Sequence, residues 1–133
     1  MLGAWHIDVH IAPMPALLAP SLLVAAIFKI PVKALAIGDE VRTIFGKFYV
    51  DDLVEGTASH ILLHTWAPGS ISRFSITVQR IASGSFEAIL HNSVHPTSWL
   101  GRLYFRAIEP GHHLAMEVAL RRLVSSARRS SAA

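Results

Sequence analysis

Ser59-His60-Ile61-Leu62-Leu63-His64-Thr65-Trp66-Ala67-Pro68-Gly69-Ser70-Ile71-Ser72-Arg73-Phe74-Ser75-Ile76-Thr77-Val78 decides the fold. Two runs rich in β-branched and aromatic residues flank Pro68-Gly69, a pair suited to the centre of a tight turn. If that pair closes a two-residue loop, Leu63 faces Phe74, Ile61 faces Ile76 and Ser59 faces Val78. A third run follows, and Ala82-Ser83-Gly84 suits a three-residue hairpin loop with glycine in the left-handed position. That loop sets Val78 against Ala88 and Ile76 against Leu90. Strands over 58–66, 71–81 and 85–95 then form an antiparallel meander. Its core face carries Ile61, Leu63, Phe74, Ile76, Val78, Phe86, Ala88 and Leu90. The opposite face carries His60, His64, Arg73, Ser75, Thr77, Glu87, His91 and His95. A two-residue loop at Ser83-Gly84 would instead pair Arg80 with Glu87 and turn His91 inward. The first register leaves no histidine in the apolar face and is preferred.

Upstream, Trp5, Ile7, Val9 and Ile11 alternate with His6, Asp8 and His10, the pattern of a half-buried strand. Residues 14–37 are apolar and helix-prone but broken by Pro20 and Pro31, which predicts two short helical pieces. Gly38-Asp39-Glu40 punctuates the chain, residues 43–51 read as one strand and residues 52–57 as a loop. Downstream, Pro96 stops the meander and Thr97 or Ser98 can cap a last helix over 99–124. Leu100, Leu103, Leu114 and Val118 are its apolar contacts, with Leu103 and Leu114 toward the sheet. Pro110-Gly111 should kink or interrupt it. The class is α+β: an antiparallel meander wrapped on a long kinked C-terminal helix, with a short N-terminal strand and a proline-broken helix. One domain spans residues 1–124, and 125–133 form a flexible basic tail.

The chain has 133 residues, 52% of them hydrophobic and 16% charged, and no cysteine. Its mean hydropathy is +0.44. Intrinsic disorder is excluded by that apolar content. Disulfides, thiolate zinc sites, iron–sulfur clusters and a cysteine nucleophile are excluded by the absent cysteine. Twelve basic residues stand against nine acidic, but Arg121, Arg122, Arg128 and Arg129 crowd the C-terminus. Without them the balance is slightly acidic, and no basic stripe interleaved with aromatics suggests a nucleic-acid partner. The uncharged run from Met14 to Phe28 is too short to span a bilayer, and it lacks the basic flank of a signal peptide. It is read as a helix buried in the core or in a partner. The alternative is a segment lying on a membrane, with Lys29 and Lys33 reaching for headgroups. The expected location is the cytoplasm, with or without that membrane contact.

Three histidine pairs, His6/His10, His60/His64 and His91/His95, share an i, i+4 spacing. On a helix that spacing brings two imidazoles to one ion, but on a strand it separates them by about 13 Å. Across the meander, His64 and His91 flank the middle strand about 9.5 Å apart. Surface histidines are the simpler reading, and no metal site or cofactor is assigned. There is no nucleophile elbow, P-loop or dinucleotide fingerprint. Asp51-Asp52 are strand neighbours on opposite faces rather than a catalytic pair. No catalytic residue is assigned. His112 is the best placed histidine for acid–base work, against the plainer role of capping carbonyls that Pro110 frees.

Gly101-Arg102-Leu103-Tyr104, followed six residues after the tyrosine by Pro110-Gly111-His112, resembles a bacterial family, the domain-of-unknown-function 2867 family. Gly111 departs from its pattern, where an aromatic residue is usual. The resemblance covers roughly residues 16–123 and implies a relative of the helix-grip (START-like) fold, in which a curved antiparallel sheet wraps a long helix around a cavity. Only five strands are counted here, fewer than that fold has. The resemblance supplies no catalytic residues. Fusions within the family imply an NAD-dependent epimerase-like partner. The expected function is binding of an apolar or amphipathic small molecule between sheet and helix. Arg102, Tyr104 and His112 are the candidate polar groups there, and Phe74 and Leu90 the candidate wall. The alternative is a protein- or membrane-interaction module docking through 14–37.

Overall fold

Alternation and turn chemistry build one sheet, and a single long helix crosses it. The computed structural model describes residues 6–82 and 84–132. In order they form β1 (His6–Met14), α1 (Pro20–Phe28), β2 (Glu40–Thr43), β3 (Gly46–Val54), β4 (Ser59–Ala67), β5 (Ser70–Ala82), β6 (Ser85–Pro96) and α2 (Trp99–Ala132). The strands make an antiparallel sheet in the order β1-β6-β5-β4-β3-β2. The first strand thus returns beside the last, leaving β1 and β2 as the edges. On the inner face of the sheet, α2 packs against β1, β6 and α1.

The register of the meander is the expected one. Leu63 pairs with Phe74, Ile61 with Ile76 and Ser59 with Val78, while Val78 pairs with Ala88 and Ile76 with Leu90. Ala82 pairs directly with Ser85, so the loop is the shorter alternative, but the register shifts between Arg80 and Ala82. That bulge restores Arg80 opposite Phe86 and keeps His91 on the outer face. One extra residue in a bulge does the work expected of a longer loop. Truncating His91 to alanine should therefore cost under ~0.5 kcal/mol in a denaturant melt.

Several expectations are corrected. Residues 40–54 form a hairpin of β2 and β3, not one strand, with Ile44 and Phe45 exposed at its tip. The sheet therefore has six strands rather than five, and a second bulge lies between Val50 and Asp52. Only the first of the two helical pieces forms. Pro20 starts α1 rather than breaking a helix, because its missing N–H costs nothing at the first helical position. Lys29, at φ 53°, then turns the chain out of α1. Pro31 follows, Val32 and Ile37 remain exposed, and Leu35 alone after Pro31 packs against the core, too little to support a second helix.

The facing of β1 is the reverse of the expected one. Met14 is buried opposite Phe86, and the two-residue period carries Ala12, His10 and Asp8 onto the same inner side. Ile7, Val9 and Ile11 stand exposed on the outer face. Trp5 and Ser83 lie outside the described residues.

The helix α2 starts as expected, with the Gly101 N–H directed at Ser98 Oγ at 3.4 Å. It continues through Pro110 without interruption and past Val124 to Ala132. Ala127 is completely buried, so helix occupies the place of the flexible tail expected from 125. The buried stripe is Gly101, Phe105, Met116, Ala119, Leu123 and Ala127. Leu103 and Leu114, expected toward the sheet, are 54% and 60% exposed, and Leu100 also faces outward. Arg122 Nη1 donates to the Ile27 carbonyl at 3.1 Å, satisfying one of the free carbonyls that end α1.

Candidate functional site

The inner face changes character along its strands. Toward Met14, Val78 and Ala88 it is apolar apart from the buried Ser59 opposite Val78, and Leu23 and Val24 of α1 belong to the core. Toward the other end the same alternation brings up Ser72 of β5, Asn92 of β6 and Asp8 of β1, all buried. Asp8 and Asn92 sit directly opposite each other across the β1–β6 pair. Over this end lies a cleft of about 450 Å³ between the sheet and α2. Phe48, Phe74 and Phe28 form its apolar wall, with Phe28 ring centroids 5.0 Å from Phe48 and 6.2 Å from Phe74. Tyr104, Phe105, Ile108, Ala115 and Met116 line it from α2, and Phe45 from the β2–β3 turn.

Polar groups are few, and Ser72 and Asn92 among them are buried. Asn92 Nδ2 donates to Ser72 Oγ at 3.0 Å and to the Arg73 carbonyl at 3.1 Å. Its Oδ1 is buried and accepts no hydrogen bond from the described residues. His112 lines the cleft, with Nε2 3.1 Å from Asp8 Oδ2, and the Phe105 ring meets its imidazole edge-on at 6.2 Å. His113, the next residue, places Nδ1 3.3 Å from Asp8 Oδ1. One buried carboxylate is thus held between two imidazoles. A hydrogen bond from Arg42 holds the Glu40 carboxyl below its ordinary value, but that pair lies on β2, outside the cleft.

Of the five residues marked from sequence, the structure brings Phe74, Tyr104 and His112 to the cleft. Arg102 lies on the outer side of α2, around a shallow depression with Trp99, Leu103 and Arg106. Leu90 is fully buried in the core and does not line the cleft. Tyr104 is 39% exposed at the rim, the partly buried ring that its large amphipathic side chain suggests. His112, considered from sequence as a cap, stands with Nε2 beside Asp8. Asp8, Asn92 and Ser72 were missed. Continuing the alternation one step beyond Phe74 and Leu90 would have reached Ser72 and Asn92.

A scan against known family models finds no match, and a search of curated proteins finds no significant relative. Solved structures do match. A hypothetical protein from Helicobacter pylori is similar at TM-score 0.66 and 7% identity, over 92% of this chain and 88% of that one. A norcoclaurine synthase point mutant from Thalictrum flavum, in complex with a transition state analogue, is similar at TM-score 0.52 and 12% identity. That match covers 93% of this chain and 97% of the synthase. This chain has the helix-grip fold. In helix-grip terms, α2 is the gripped helix, and the cleft lies between it and the sheet. No helix among the described residues is long and apolar enough to cross a membrane.

Proposed function

We propose that this helix-grip domain binds a small amphipathic molecule in the cleft between sheet and α2. The observation that carries the proposal is Asn92 Oδ1, a buried acceptor with no donor among the described residues, on the floor of an apolar cleft. Leaving such a group unpaired costs ~1–3 kcal/mol. A ligand with one hydroxyl or N–H donor on a flat apolar body would supply the missing bond while its rings pack on Phe28, Phe48 and Phe74. Asn92 is positioned for this by Ser72 and the Arg73 carbonyl, which hold its amide with Oδ1 free to accept. The helix-grip synthase from Thalictrum flavum, described in complex with a small-molecule analogue, supports the reading that this fold takes such ligands.

Naphthalene and 2-naphthol, which differ by one hydroxyl, test this. The intact protein should prefer 2-naphthol by about tenfold, the equivalent of ~1.4 kcal/mol. Asn92→Leu should erase the preference while keeping naphthalene affinity. Ala115→Trp, at an exposed α2 position on the cleft, should abolish both without lowering the melting temperature. Equal affinities in the intact protein and Ala115→Trp would refute the site.

Docking through residues 14–37 is a weaker proposal. The apolar side chains of α1 pack into the core, which leaves the loop carrying Val32 and Ile37. A place beside an NAD-dependent epimerase-like partner rests only on the resemblance to the domain-of-unknown-function 2867 family.

A further inference from the structure

We infer that Asp8, His10 and His113 form a binding site for a divalent transition-metal ion of the zinc type, clamping edge strand β1 to α2. Asp8 and His10 are two residues apart on β1 and so share its inner face. His113 comes from the helix that crosses them. One ligand atom from each residue lies within 4.8 Å of the others. Ligands at zinc bond lengths of ~2.0–2.2 Å in a tetrahedron stand about 3.4 Å apart. Asp8 Oδ1 and His113 Nδ1 already stand 3.3 Å apart, the separation of two atoms sharing one ion. His10 has a ring nitrogen within 4.8 Å of both residues' ligand atoms.

The surroundings match what such ligands need. Metal-binding histidines commonly give their second ring nitrogen to a carboxylate, which fixes the tautomer and the ring. Glu109, one helical turn before His113, places Oε1 3.7 Å from His113 Nε2. A small approach that let Nε2–H donate to Glu109 would leave the Nδ1 lone pair toward Asp8. His112 Nε2 stands 3.1 Å from the other carboxylate oxygen, Asp8 Oδ2, and His112 also lines the cleft. Two imidazoles and one carboxylate suit zinc, cobalt(II) or nickel(II). A thiol-free set disfavours copper(I), and imidazoles disfavour magnesium and calcium. Burial decreases from Asp8 through His10 to His113, so a fourth position opens to solvent. His10, a member of one i, i+4 strand pair, enters the site through Asp8, two residues before it. The site joins an i, i+2 pair on a strand to a histidine on a helix.

The inference does not depend on the cleft ligand, because the probe is the metal alone. Chain free of any histidine tag is titrated with cobalt(II), read by visible absorption, and with zinc(II), read by calorimetry. One equivalent per chain is expected, with cobalt bands of low coordination number and a higher melting temperature in zinc. His10→Ala and His113→Ala should each weaken zinc binding at least tenfold. Glu109→Gln should weaken it by ~10-fold or more. His91→Ala, on the outer face, should leave it unchanged. No saturable binding, or binding that survives both His10→Ala and His113→Ala, would overturn the site. Should either alanine variant fail to fold, anomalous scattering from zinc-soaked crystals of the unaltered chain decides. A peak between β1 and α2 supports the site, and its absence rejects it.

Discussion

Leu123→Ala should destabilise the protein by ~2–5 kcal/mol, whereas Leu103→Ala should cost under ~0.5 kcal/mol. Leu123 is fully buried where α2 joins the core, while Leu103 is 54% exposed. The first substitution removes buried methyl groups and leaves a cavity, and the second removes atoms already in contact with water. That is a large share of the ~5–15 kcal/mol that holds a domain folded. Urea melts of the two variants settle which face of α2 meets the sheet. The reverse order would mean the helix is turned about its axis, and the cleft would lose the wall formed by Phe105, His112 and Met116.

Gly101→Ala and Gly111→Ala should move stability in opposite directions. A β-carbon on Gly101 would stand 2.0 Å from the Gly69 carbonyl oxygen in the β4–β5 turn. That oxygen is also the acceptor for the Thr97 N–H at 2.7 Å. Gly69 has φ +69° and no room for a β-carbon of its own, so neither backbone can yield. Overpacking of this kind costs ~1–3 kcal/mol, enough to exceed the gain in helix propensity. Gly111 has nothing within 4 Å of its would-be β-carbon. Alanine there should stabilise by up to ~1 kcal/mol. Thermal melts of both variants check the sign, and equal shifts would mean that the turn and helix do not touch.

The meander was legible because turn residues and alternation agree. Pro68-Gly69 fixes one register, and the cost of burying His91 selects the other, whatever the loop length. For β1 the alternation was visible but its sense was not. Ile7, Val9 and Ile11 are the apolar set, yet Met14 is anchored inside and the period forces Asp8 and His10 in with it. Counting apolar residues fails on a strand whose inner face borders a polar cleft end. On α2 the leucines misled in the same way. Its contact stripe contains Gly101, Ala119 and Ala127, small residues that let the helix approach closely. Leu100 and Leu103 were left exposed, and of the α2 leucines Leu123 alone is fully buried. Of the candidate site, His112 was visible as the histidine beside Pro110. Its partner Asp8 lies more than a hundred residues earlier, and only the β1–β6 pairing brings the two together.

The central claim is that the cleft holds a donor-bearing apolar ligand on Asn92, and the position of bound 2-naphthol in a crystal tests it most directly. The ring should lie between Phe74 and Phe105, with the hydroxyl ~2.7–2.8 Å from Asn92 Oδ1. A probe found instead against the outer-face row of Ile7, Val9 and Ile11, or beside Trp99 and Arg102, would contradict the account.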